Sequence, residues 1–102
     1  MDIQVKFDNQ ILVSLDGDLD LNSVNSFKNA LDEAIGEHKA DVSIDCGELR
    51  YIDSTGLGVL VSILKKVKEY GGTMRITKLK PYLFKIFDVT GLTNVFEIEV
   101  AE

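Results

Sequence analysis

Ile3, Val5 and Phe7 alternate with polar residues, and Ile11, Val13 and Leu15 do the same after Asp8-Asn9-Gln10. Alternation of period two places one set of side chains on each face of a strand, so the two runs predict a β-hairpin turning at residues 8–10. Residues 16–22, Asp-Gly-Asp-Leu-Asp-Leu-Asn, predict an acidic loop. Asn22 or Ser23 is then placed to cap a helix. The apolar stripe of that helix is Val24, Phe27, Leu31 and Ile35, with Ala30 and Ala34 beside it, and Gly36 is its expected end.

Val42, Ile44 and Cys46 alternate again and predict a third strand, followed by a connection over residues 47–52. From Ser54 the period changes to 3.6. Leu57, Leu60, Val61, Leu64 and Val67 share one face, Lys65, Lys66, Lys68 and Glu69 occupy much of the other, and Gly71-Gly72 stops the helix. A short strand is expected over residues 73–77, and Pro81 suits the first turn of a helix over residues 82–88. That helix packs through Leu83, Phe84 and Phe87 and ends at Gly91. A last strand over residues 95–100 points Phe96, Ile98 and Val100 inward.

The predicted order is β-β-α-β-α-β-α-β. Strands alternating with helices after an opening hairpin imply an α/β domain: a mixed sheet, its helix-connected strands parallel, with at least two helices on one face. With no linker, repeat or biased segment, residues 1–102 are expected to form a single domain.

Composition narrows the function classes. The chain is 45% hydrophobic and 27% charged, with a net charge of −6. An acidic surface repels phosphate backbones and anionic lipid, so neither direct DNA binding nor membrane binding is expected. The charge is uneven: residues 1–51 carry 4 basic and 11 acidic side chains, residues 52–102 carry 7 and 6. One acidic face and one mixed face are expected. Cys46 is the lone cysteine, which excludes an internal disulfide. The first residues lack the basic start and apolar run of a signal peptide, and the longest apolar stretch, residues 57–64, is far short of a membrane span. A cytoplasmic protein is expected.

The sharpest chemical feature is Asp53-Ser54-Thr55-Gly56-Leu57-Gly58, at the start of the second helix. Loops after strands and the helix N-termini that follow them form the functional edge of α/β sheets. Two glycines in a first helical turn each cost about 1 kcal/mol relative to alanine, and suit a place where something approaches the backbone closely. Asp and Ser are also preferred caps, and capping alone accounts for Asp53 or Ser54.

Enzyme readings find little support, so no catalytic residue is assigned. A Gly-x-Ser-x-Gly elbow fails because Ile52 stands at its first glycine. The single histidine, His38, falls just past Gly36 in a polar segment and reads as a solvated loop residue. Neither a phosphate-binding nor a dinucleotide-binding glycine motif is present. The loop from Asp16 opens like a calcium site, but its sixth position is Leu21 and its twelfth Phe27. No metal and no cofactor are expected. The seven basic residues between Lys65 and Lys85 read as a solvated face.

Taken together, these residues resemble the STAS-domain anti-anti-sigma factors (anti-sigma factor antagonists) of bacteria. The resemblance rests on the hairpin, Gly17-Asp18-Leu19-Asp20, Asp45, the motif Asp53 to Gly58, and Phe87-Asp88-Val89-Thr90-Gly91-Leu92. It implies a phospho-regulated switch protein that binds an anti-sigma factor, itself a serine kinase, and so frees a sigma factor. The resemblance makes Ser54 the phosphorylation site and a metal-dependent phosphatase the enzyme that resets it. Asp20, Asp53, Ser54, Thr55, Gly56, Leu57 and Gly58 are the implied partner-binding residues, and Asp16, Asp18 and Asp20 are expected beside the serine. Two departures stand out. Thr55 occupies a place where some members have a second serine, and the chain ends soon after its last strand, where many relatives add a helix. Competing readings are a STAS subunit of another signalling or transport assembly, and a nucleotide-binding protein using residues 54–58 for phosphate. The latter lacks a lysine in the motif and a base.

Overall fold

A computed structural model describes residues 1–101. Its elements, in chain order, are β1 (Asp2–Asp8), β2 (Gln10–Leu19), α1 (Val24–His38), β3 (Val42–Ile52), α2 (Ser54–Glu69), β4 (Met74–Leu79), α3 (Pro81–Val89), a 3₁₀ turn (Leu92–Asn94) and β5 (Glu97–Val100). The order is the expected β-β-α-β-α-β-α-β. The strands form one sheet in sequence order, with β1 antiparallel to β2 and all later neighbours parallel.

Right-handed crossovers that advance one strand at a time keep their helices on one face. The burial pattern follows from this. Val13, Ile44 and Ile76 are register partners with at most 1% exposure, and β5 continues the row with the half-buried Ile98. The neighbouring row, Ser14, Asp45 and Thr77, lies on the uncovered face. Phe27, Leu31 and Ile35 of α1, Leu60, Ile63 and Leu64 of α2, and Leu83 and Phe87 of α3 fill the covered side. Asp32 joins α1 to α2 from outside the core, accepting from Lys28 Nζ at 2.7 Å and Lys66 Nζ at 2.5 Å.

Several element boundaries depart from the expected ones, each for a local reason. β2 continues through the stretch read as an acidic loop: Gly17 and Leu19 extend the buried alternation while Asp16 and Asp18 face solvent. β3 runs on to Ile52, because two irregularities shift its register and bring Leu49 and Ile52 to the buried side. Such bulges insert a residue into one strand and break period two. α1 passes through Gly36 and ends at His38, where Lys39 takes the left-handed conformation at φ 48°. His38 is not a free loop residue, for its ring stacks on Phe7 with centroids 3.8 Å apart. Ile63 joins the buried face of α2, whereas Val61 is only half-buried. β4 is shifted to residues 74–79, and β5 begins only at Glu97. Phe96 is buried just before it, edge-on to Phe87 at 5.9 Å, while Val95 and Val100 stay exposed.

Candidate functional site

The edge carrying the motif is built by the ends of β2 and β3. Leu19 and Ile52 are register partners, and after them the two chains turn in different directions. From β2 the chain folds into a tight turn over residues 20–23. Asp20 Oδ1 accepts the Asn22 amide at 3.0 Å, and the Asp20 carbonyl accepts the amides of Ser23 and Val24, both at 3.0 Å. Ser23 precedes the helix but does not cap it through its side chain. Its hydroxyl accepts the Asp20 amide at 3.0 Å and donates to the Asp18 carbonyl at 2.7 Å, fastening the turn to the strand it leaves.

From β3 the chain enters α2 through Asp53, which is the N-cap. One carboxylate oxygen, Oδ1, accepts the Gly56 amide at 2.9 Å. The other, Oδ2, accepts the Leu21 amide at 3.2 Å, across 32 residues of sequence. A single carboxylate thus satisfies an orphan donor of the helix and one of the neighbouring turn. It also brings Asp20 and Ser54 to one place, each one residue from an end of that bridge.

Gly56 owes its identity to this junction. A Cβ there would run into the Leu19 carbonyl oxygen and lie 2.8 Å from Ile52 Cγ1, so what approaches its backbone is the protein's own β2–β3 edge. Leu57 is likewise buried, at 7% exposure. Gly58 is different: it is exposed, and a Cβ there would meet nothing within 4 Å. Ser54, Thr55 and Gly58 form the accessible part of the turn, and among the described residues no side chain hydrogen-bonds to the Ser54 hydroxyl. The seven sequence-predicted residues therefore divide into a supporting group, Asp53, Gly56 and Leu57, and an accessible group, Asp20, Ser54, Thr55 and Gly58.

The acidic side chains upstream do not all gather at the serine. Asp16 and Asp18 lie on β2 facing solvent, and Asp16 is drawn to Arg50 at 3.4 Å. Only Asp20 lies in the turn that Asp53 Oδ2 holds. Leu21 stands out at the same place, 71% exposed between Asp20 and Asn22. Its apolar character within an acidic stretch was the only sequence signal for it.

Four of the seven basic residues between Lys65 and Lys85 are engaged within the fold. Lys66 binds Asp32, Arg75 approaches Glu99 at 3.8 Å, Lys78 approaches Asp45 at 3.4 Å, and Lys80 donates to the carbonyls of Gly47 and Leu49. Cys46 is buried, and its thiol pKa is pushed up to about 12, chiefly by loss of solvation. Among the described residues no cluster of three or more His, Cys, Asp or Glu is placed to hold a metal ion, and no helix is long and apolar enough to cross a membrane.

Comparison with known proteins agrees with this architecture. The STAS domain family model matches residues 2–102. The anti-sigma-B factor antagonist of Bacillus subtilis is 36% identical over 91 residues, spanning 89% of this chain and 83% of that protein. Among solved structures, the anti-sigma factor antagonist SpoIIAA in its unphosphorylated form superposes with a TM-score of 0.76 at 18% identity, covering 99% of this chain and 90% of that one. Bacillus SpoIIAA in the phosphorylated form gives 0.74 at 19% identity, covering 97% and 92%. At these identities the structural likeness speaks for the fold, while the family model and the Bacillus subtilis relative carry the assignment. The chain belongs to the STAS-domain family of anti-sigma factor antagonists.

Proposed function

We propose that the unmodified protein binds an anti-sigma factor that is also a serine kinase, and that binding frees a sigma factor held by that kinase. Phosphorylation of Ser54 by the kinase ends the interaction, and a phosphatase restores it. The protein acts in the cytoplasm as one unit over residues 1–102 and catalyses no reaction itself. The observation that carries this reading is the division of labour at the start of α2. Asp53 uses both carboxylate oxygens on backbone amides of its own fold, while the neighbouring Ser54 is exposed and, among the described residues, its hydroxyl has no side-chain partner. A kinase reaches such a hydroxyl without unfolding the helix.

Asp20, Ser54, Thr55 and Gly58 are the direct contacts in this reading, and Asp53, Gly56 and Leu57 hold them in place. Gly58 supports it. A glycine inside a helix costs about 1 kcal/mol relative to alanine, and nothing in the fold requires one here. Its presence suits a partner backbone or side chain packed against that turn.

The nucleotide-binding alternative finds no support in the geometry. A phosphate seated on a helix N-terminus needs free amides and benefits from nearby cations. Here a carboxylate already occupies the Gly56 amide, and a second carboxyl group, Asp20, stands across the turn.

Incubation with the ATP-binding anti-sigma factors of the source organism, followed by mass mapping of the phosphate, tests the proposal. Incorporation into wild type at Ser54 and its loss in Ser54→Ala are expected. Undiminished incorporation in Ser54→Ala overturns the site, and incorporation with none of the kinases overturns the function.

A further inference from the structure

We infer that Leu21 is an apolar anchor for the anti-sigma factor, displayed beside Ser54 and received by an apolar pocket on that partner. The inference rests on the function proposed above. At 71% exposure, Leu21 is among the most solvent-exposed large apolar side chains of the chain. It adds little to the core, yet its backbone is held from several directions. Its own amide donates to Asp53 Oδ2 at 3.2 Å, the next amide, Asn22, donates to Asp20 Oδ1 at 3.0 Å, and the Ser23 hydroxyl ties the turn to Asp18 and Asp20. An apolar side chain on a fixed backbone loses little conformational freedom when a partner covers it, which is what a binding anchor requires.

Other exposed apolar residues are not bonded to Asp53, although Tyr51 stands on β3 two residues before it. Val89 ends α3, Tyr82 is tied through its hydroxyl to the Arg50 carbonyl, and Val5 and Phe7 lie on the hairpin. Leu21 alone among them hangs from the carboxylate that also caps the helix carrying Ser54. The surface it extends is therefore continuous with the accessible residues Asp20, Ser54, Thr55 and Gly58, and its occupant is the protein that contacts them. An apolar pocket next to the seat of Ser54 would favour this chain over any protein with a polar residue at that place in the turn.

The test is titration of wild type, Leu21→Met and Leu21→Ser against the anti-sigma factors of the source organism, with thermal unfolding of each variant. Leu21→Ser is expected to weaken binding by about 10- to 100-fold, the range of a buried anchor. Leu21→Met is expected to stay within about threefold of wild type, since it conserves apolar volume. All three should share one Tm, because the side chain lies outside the core. As a kinase substrate, Leu21→Ser should raise KM while leaving kcat unchanged. If wild type binds and Leu21→Ser binds equally well, the inference fails while the function stands. If wild type binds none of the anti-sigma factors, the function and the inference fall together.

Discussion

At the scale of single residues, two glycines two positions apart have opposite reasons. A methyl group at Gly56 collides with the Leu19 carbonyl and the Ile52 side chain, so Gly56→Ala must push α2 off the sheet edge. A loss of about 1–3 kcal/mol in stability is expected, the usual range for overpacking, readable by urea denaturation. Gly58→Ala meets open space and gains helix propensity. It should raise stability by about 0.5–1 kcal/mol while weakening the anti-sigma factor complex. Unchanged affinity in a stabilised Gly58→Ala protein would remove Gly58 from the interface. Cys46 offers a further check. Its thiol, pushed up to about 12 by burial, should resist alkylation at neutral pH in the folded protein and react at once when unfolded.

The two glycines also mark how far the sequence alone could be read. Their spacing after Asp53 announced a functional helix start, but the close approach that fixes Gly56 comes from Leu19, whose carbonyl belongs to another strand. Asp53 was legible as a cap, and its second bond was not, because Leu21 lies 32 residues away.

At the scale of elements, hydrophobic period located every strand and helix, and failed where local chemistry disguised it. Asp16, Gly17 and Asp18, residues poor in strands, hid the second half of β2. Register shifts placed Leu49 and Ile52 three residues apart on the same face of β3, which reads as loop or helix. Gly36 failed to stop α1 because nothing there opposes continuation, and the last turn is held by His38 stacked on Phe7.

The contact between α1 and α2 carries a pH prediction. Hydrogen bonds from Lys28, and next from Lys66, hold the Asp32 carboxyl below its usual value of 3.8. A carboxyl whose pKa is lower folded than unfolded stabilises the fold above the unfolded value and loses that contribution as pH falls through the folded one. The site is partly solvated, so its contribution is that of a surface pair. Asp32→Asn should cost about 0.5–1 kcal/mol at pH 7, shrinking as pH falls below the carboxyl's usual value of 3.8 and through its lowered folded value. Equal destabilisation at both ends of that range would assign the loss to packing instead of charge.

At the scale of the whole molecule, the proposed phosphorylation of Ser54 is expected to change charge far more than shape. A phosphate adds about −1.5 to −2 at neutral pH to a chain already at −6. At an exposed helix N-terminus that charge is locally favourable by about 0.3–1 kcal/mol, so α2 should survive modification. Amide exchange is expected to show the same protection over residues 54–69 in both forms, and loss of that protection would mean that the switch works by unfolding. In the proposed switch, inhibition would then arise at the interface, where a hydrated dianion next to Asp53 opposes close packing.

The most direct measurement is therefore the affinity of the cognate anti-sigma factor for the protein before and after stoichiometric phosphorylation of Ser54, by titration calorimetry at fixed salt. Tight binding of the unmodified form and a loss of about 100-fold or more on modification are expected, the scale of an uncompensated charge at a buried contact. Equal affinity for the two forms would contradict the proposed switch.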